Sequence, residues 1–190
     1  MGLPTDEVAR FDVVAARFCG LVRGTTDWSA PAPVDGWVAR DVVEHLVTWL
    51  PGLLGAHGVQ LGAAPVDAGP VARWEAHAVA VRDLLADPAS RDRLVQDPHF
   101  PPMSLTQVVD RLWTTDVFLH SWDLARATGQ EPGLDPEHCL ELLAGMEPAE
   151  QMMRSSGQYG PRVAVPEDAD PQTRLVAFVG RDPAWSAPPT

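Results

Sequence analysis

Apolar residues recur at intervals of three and four from the first turn onward: Val8, Phe11, Val14, Ala15, Phe18, Leu21 and Val22. That spacing lines one face of a helix and predicts a first helix over about residues 6–23. After the loop "SAPAPVDGW", a second helix is expected from about Val38, with Asp41 in its first turn where the macrodipole favours an acid. Pro51 predicts a kink or stop near residue 50, because proline removes one backbone donor and crowds the preceding turn. The segment "LGAHGVQLGAAPVDAGP" is small and Gly-rich and reads as a mobile loop. A third helix is expected over about 70–87, and Asp87-Pro88 opens a further short turn.

"DPHFPPMS" breaks the pattern. Ser104 then stands where a cap belongs for a long fourth helix, about 105–128, stopped by Gly129. Asp135-Pro136 opens a fifth helix, "PEHCLELLAGMEPAEQMMRSS". The tail holds an extended piece and one last short helix, and only "RVAV" alternates in the manner of a strand. These elements predict an all-α bundle forming a single domain over 1–190, with a core of about 5–158 and a tail of about 159–190.

Polar residues interrupt two of the apolar stripes. At about 100° per residue, Leu105, Val109 and Leu112 define an arc on the fourth helix, and Asp116, His120 and Asp123 fall within roughly 60° of Leu105. On the second helix His45 flanks the stripe of Val42, Leu46, Trp49 and Leu53. Buried without partners, such groups cost several kcal/mol, so something must compensate. A carboxylate and an imidazole at i and i+4 sit one above the other and can reach one divalent ion. His45 from the facing helix would complete two histidines and one carboxylate, a set that suits zinc, nickel or iron and leaves positions open. The alternative is that these inward polar residues only pair with one another. Asp123 reads as support for the ligands, Trp49 as a pocket wall together with the 55–70 loop, and His57 and His77 as substitute ligands. Arg126 and Arg82 are candidates for an anionic substrate or for ion pairs, and His99 and His138 are expected to face solvent.

Composition narrows the partners. A formal net charge of −12 argues against nucleic acid and against an anionic membrane surface. The opening "MGLPTDEVARFDVV" lacks a secretory pattern and no apolar run reaches transmembrane length, so a cytoplasmic protein is expected. All fourteen basic residues are Arg, and Lys, Ile and Asn are absent, the bias of a GC-rich bacterial genome. Cys19 and Cys139 have no CxxC partner and read as reduced core thiols. A homodimer through an outer helix face is compatible with this picture.

"PAPVDGWVARDVVEHLVTW", "DVFLHSWDLARATGQ" and "YGPRVAVPEDADPQTRLVAFVGRDP" together resemble the actinobacterial DinB/YfiT-like metalloproteins, whose relatives include mycothiol-dependent maleylpyruvate isomerases. The resemblance implies a DinB-like four-helix bundle with an additional C-terminal helix and short tail. It also implies a divalent metal, zinc or nickel foremost, held by His45, Asp116 and His120. It further implies a transferase or isomerase acting on a small electrophile with mycothiol as cosubstrate; the competing expectation is a non-catalytic metal-binding or small-molecule-binding accessory protein. Three departures stand out. The acid is Asp116 where the isomerases carry Glu, the chain has no separate C-terminal domain, and Val38 replaces a Ser or Thr cap.

Overall fold

The computed structural model describes residues 2–65, 67–98 and 100–187. The chain is mostly helical: α1 (Glu7–Gly24), α2 (Ala39–Ala56), α3 (Pro70–Ala86), α4 (Pro88–Asp92), α5 (Leu105–Val108), a π-helical segment (Val109–Thr114), α6 (Thr115–Thr128), α7 (Pro136–Met146), α8 (Glu150–Ser155) and α9 (Pro171–Phe178). Among the described residues no helix is long and apolar enough to cross a membrane.

Capping explains where several helices begin. The side chain of Asp6 accepts from Ala9 N, and Asp170 does the same for Thr173 N. Val38 supplies no side-chain cap to α2, but Asp41 reaches back to accept the Val38 N–H at 2.9 Å, so half of a capping box survives. Gly129 closes α6 in the left-handed region at φ 68°, where a side chain would be strained.

Helix α2 does not stop at residue 50; it continues through Pro51 to Ala56. Leu50 and Leu54 are fully buried on either side of the proline, and that packing holds the last turn in place. Strands also fall elsewhere than expected. "RVAV" is not a strand, although Val163 N donates to Ala177 O. The break around "DPHFPPMS" is instead an antiparallel hairpin of β1 (Leu94–Asp97) and β2 (Phe100–Ser104), with an irregular register between Val95 and Asp97. Pro101 and Pro102 are exposed in β2, a tolerable place for residues that cannot donate to a ladder.

Helices α1, α2, α3 and α6 pack on one another around a core that includes Phe18, Leu46, Leu50, Trp74, Trp113 and Leu124. Cross-links fix their directions. Arg10 meets Asp110 and Gln130 meets Leu21, so α1 and α6 run the same way. Arg23 pairs with Glu75 and Arg82 with Asp12, so α3 runs against α1. Arg73 pairs with Glu44 near the start of both α2 and α3, which makes these two parallel. Residues 57–69 must therefore travel back along roughly 27 Å of helix, and Gly62 comes against Ala80 on the way. The Gly-rich segment is a crossover connection.

The tail is part of the core. Leu175, Val176, Ala177, Phe178 and Val179 are all buried, and α9 packs against α7. Cys19 and Cys139 are free thiols, and burial pushes the Cys139 thiol up to about 12.

Candidate metal centre

Helices α2 and α6 are joined by two indoles. Trp113 Nε1 donates to the Leu46 carbonyl at 2.9 Å, and Trp49 Nε1 donates to Asp116 Oδ2 at 2.9 Å. These bonds set the rotation of the facing helices and turn His45 toward Asp116. His45 Nε2 lies 2.9 Å from Asp116 Oδ2, and His120 Nε2 lies 3.5 Å from Asp116 Oδ1. One ligand atom from each of His45, Asp116 and His120 falls within 4.8 Å of the other two. The three residues proposed from spacing are thus brought together.

A layer of supporting groups holds them. His120 Nδ1 stands 2.8 Å from Asp123 Oδ2, a contact bent away from the ideal N–H direction. Arg181 Nη2 sits 3.1 Å from the same oxygen. Asp123 marks Nδ1 as the protonated nitrogen of His120, which leaves the Nε2 lone pair on the Asp116 side. Trp37 stacks on the His120 ring at 5.7 Å and 13°, and leans on His45 at 5.2 Å. A tight turn delivers that indole: Trp37 N donates to Val34 O, and Gly36 takes φ 74° between them.

Charge is balanced within this group. Burial pushes the Asp116 carboxyl up, but the His120 charge and the bonds from His45 and Trp49 outweigh it and hold it below the usual range. Burial pulls His120 down, yet Asp116 and Asp123 reverse that and raise it. Asp123 is fully buried; burial alone would push it up, and Arg181 together with His120 brings it down. Access is one-sided, since the side chains of His45 and Asp116 are 33% and 23% exposed whereas His120 is 6% exposed. An ion held here would keep its free positions on the His45–Asp116 side.

The chemistry of the set fits a divalent cation. Two imidazole nitrogens and a carboxylate oxygen converge, and one imidazole is backed by a carboxylate.

The remaining candidates lie elsewhere. Trp49 is the exception and is closer than a wall, since it donates directly to the candidate ligand Asp116. Arg126 is six residues beyond His120 on another face of α6; it caps the Trp185 carbonyl and lies 5.9 Å over Trp122, away from the centre. Arg82 is paired with Asp12. His57 closes α2 and faces Asp97 at 3.3 Å, twelve residues or roughly 18 Å along the helix from His45. His77 is buried against Trp113, and burial lowers it to about 4. His138 does not face solvent: it is buried edge-on to Phe118 with Nδ1 3.0 Å from Glu141. His99 lies outside the described residues.

Two proteins of Mycobacterium tuberculosis resemble the chain over most of their length. Uncharacterized protein MT0763 (strain CDC 1551 / Oshkosh) and uncharacterized protein Rv0738 (strain ATCC 25618 / H37Rv) are each 33% identical over 155 residues, 80% of this chain and 83% of theirs. The chain belongs to their family. No family model matches it, and no solved structure does. In this chain, two contributors to the candidate centre escape a pattern reading. Trp37 sits in a loop where no periodicity applies. Arg181 lies 58 residues from Asp123, and only the resemblance of the closing segment to metalloproteins points toward that region.

Proposed function

We propose that the chain is a DinB-like four-helix bundle metalloprotein, a metal-dependent enzyme that adds or transfers a low-molecular-weight thiol, mycothiol foremost, to a small electrophile. The convergence of His45, Asp116 and His120 on one point carries this reading. The mutual packing of α1, α2, α3 and α6 supports the bundle. Zinc or nickel suits the ligand set best, with iron a further fit.

A divalent ion bound there supplies Lewis acidity and lowers the pKa of a coordinating thiol or water. His45 and Asp116 present the accessible side, where the thiol and its acceptor meet. Asp123 and Arg181 fix the ring of His120, and Trp37 shields that ring from water. On this reading the partners are a small molecule and, through an outer helix face, a second copy of the chain. The setting is the cytoplasm, with no nucleic acid or membrane involved.

The test is elemental analysis of protein purified without chelator, beside His45→Ala and His120→Ala. About one divalent ion per chain in the parent and near none in the variants is expected; stoichiometric metal in both variants would sink the site. Thiol consumption with mycothiol and a panel of electrophiles, with and without metal, separates an enzyme from a binding protein. A second reading has its own support: Asp116 already accepts from Trp49 and faces both imidazoles, so the polar groups pair among themselves. It predicts an unchanged melting temperature on adding zinc or nickel.

A further inference from the structure

Three contacts to Asp116 divide unequally between its two oxygens. Trp49 Nε1 donates to Oδ2 at 2.9 Å, and His45 Nε2 lies 2.9 Å from the same oxygen. Oδ1 instead faces His120 Nε2 at 3.5 Å. These distances carry different meanings. At 2.9 Å a nitrogen and an oxygen share a proton, the ordinary length of a hydrogen bond. Zinc bonds of about 2.0–2.1 Å in a tetrahedral arrangement set neighbouring ligand atoms roughly 3.3–3.4 Å apart. The 3.5 Å between His120 Nε2 and Oδ1 is therefore close to the separation of two atoms on one ion.

His45 and Trp49 stand at i and i+4 on α2 and reach Oδ2 from one face of that helix. Their capacities differ. The indole N–H is a donor only, so its bond to Oδ2 persists whether or not an ion is present. The imidazole can turn a lone pair on Nε2 to an ion once its proton sits on Nδ1. His45 is thus free to exchange Oδ2 for an ion, and Trp49 is not. The indole is also held in place, with its ring packed against the core and 6.3 Å from that of His45.

Resting on the proposed metal centre, we infer that Trp49 is a positioning residue: by holding Oδ2 it makes Asp116 a ligand through Oδ1 alone. Three protein atoms then hold the ion, and a fourth position stays open on the His45–Asp116 side for thiol or water.

The test uses the full chain loaded with cobalt(II), whose visible band is strong with four ligands and weak with six. Trp49→Phe frees Oδ2 to join the ion, so the band at saturation should weaken. Cobalt affinity should fall about 10- to 100-fold. In an Asp116→Ala background the same substitution should change affinity by less than about twofold, because Trp49 acts through Asp116. Equal weakening in both backgrounds would make Trp49 a packing residue and overturn the inference. The infrared difference between zinc-loaded and metal-free parent needs no Trp49 variant. A wide separation of the two carboxylate stretches is expected for one bound oxygen, and a narrow one overturns the inference. Failure of the parent to bind either ion appears before any of these comparisons; it defeats the metal reading, and this inference with it.

Discussion

His77 shows how a single buried side chain ties stability to pH. It is 3% exposed against Trp113, and its Nε2 has no hydrogen-bond partner among the described residues. Burial disfavours the charged form and lowers the pKa to about 4 from an ordinary 6.5. Between those values the unfolded chain binds a proton that the folded chain refuses. The stability this neutral imidazole contributes is therefore complete above pH 6.5 and drains away as pH falls toward 4. The loss is about 3 kcal/mol at the bottom of the window. His77→Leu removes the titration and also the orphaned nitrogen. Denaturant midpoints of the parent and His77→Leu at pH 7 and pH 4.5 should show a clearly steeper drop for the parent; parallel drops would mean that carboxylates alone carry the acid sensitivity.

At the scale of elements, the run from Leu105 to Thr128 is the informative one. Ser104 Oγ accepts from Gln107 N at 3.2 Å and Gln107 Oε1 accepts from Ser104 N at 3.1 Å, a complete capping box. Ser104→Ala should cost about 1 kcal/mol, read as a lower urea midpoint with the slope of the transition unchanged; a shift below a few tenths would mean that the hairpin, not the cap, starts the helix. The cap, the Gly129 stop and the candidate ligand pair are all legible in the sequence. The π-helical turn at Val109–Thr114 is not, because nothing in local propensity announces one. It inserts extra backbone and rotates the α6 segment relative to α5, so Leu112 is only half-buried and Trp113 takes the core position. Arg10 on Asp110 and the Trp113 bond to the Leu46 carbonyl anchor that register from two neighbouring helices. Asp116, His120 and Asp123 all lie beyond the turn, so their mutual spacing holds even though a regular arc from Leu105 does not. Similarly, the hairpin is hidden in the sequence because its strands hold two prolines and little alternation, and antiparallel pairing of β1 with β2 compensates for both.

At the scale of the molecule, the closing segment matters most, and treating it as a tail after residue 158 undervalues it. Its apolar residues from Leu175 to Val179 fill the space beside α7, and Arg181 carries the only guanidinium recorded against Asp123 among the described residues. Asp123 has a side chain 1% exposed, so its charge depends on that partner and on His120. Arg181→Ala would strand a buried carboxylate, which costs about 3 kcal/mol or more. If the pair also orients His120, metal affinity should fall about 10- to 100-fold, the usual effect of losing an outer partner of a ligand. Stability and affinity can be separated by adding Asp123→Asn to Arg181→Ala. Neutralising the stranded acid should restore much of the melting temperature, since the desolvated charge is gone, whereas zinc affinity should stay low because His120 has lost its anionic support. Recovery of both together would make the closing segment a packing element alone, and loss of stability with unchanged zinc binding in Arg181→Ala would uncouple it from the centre.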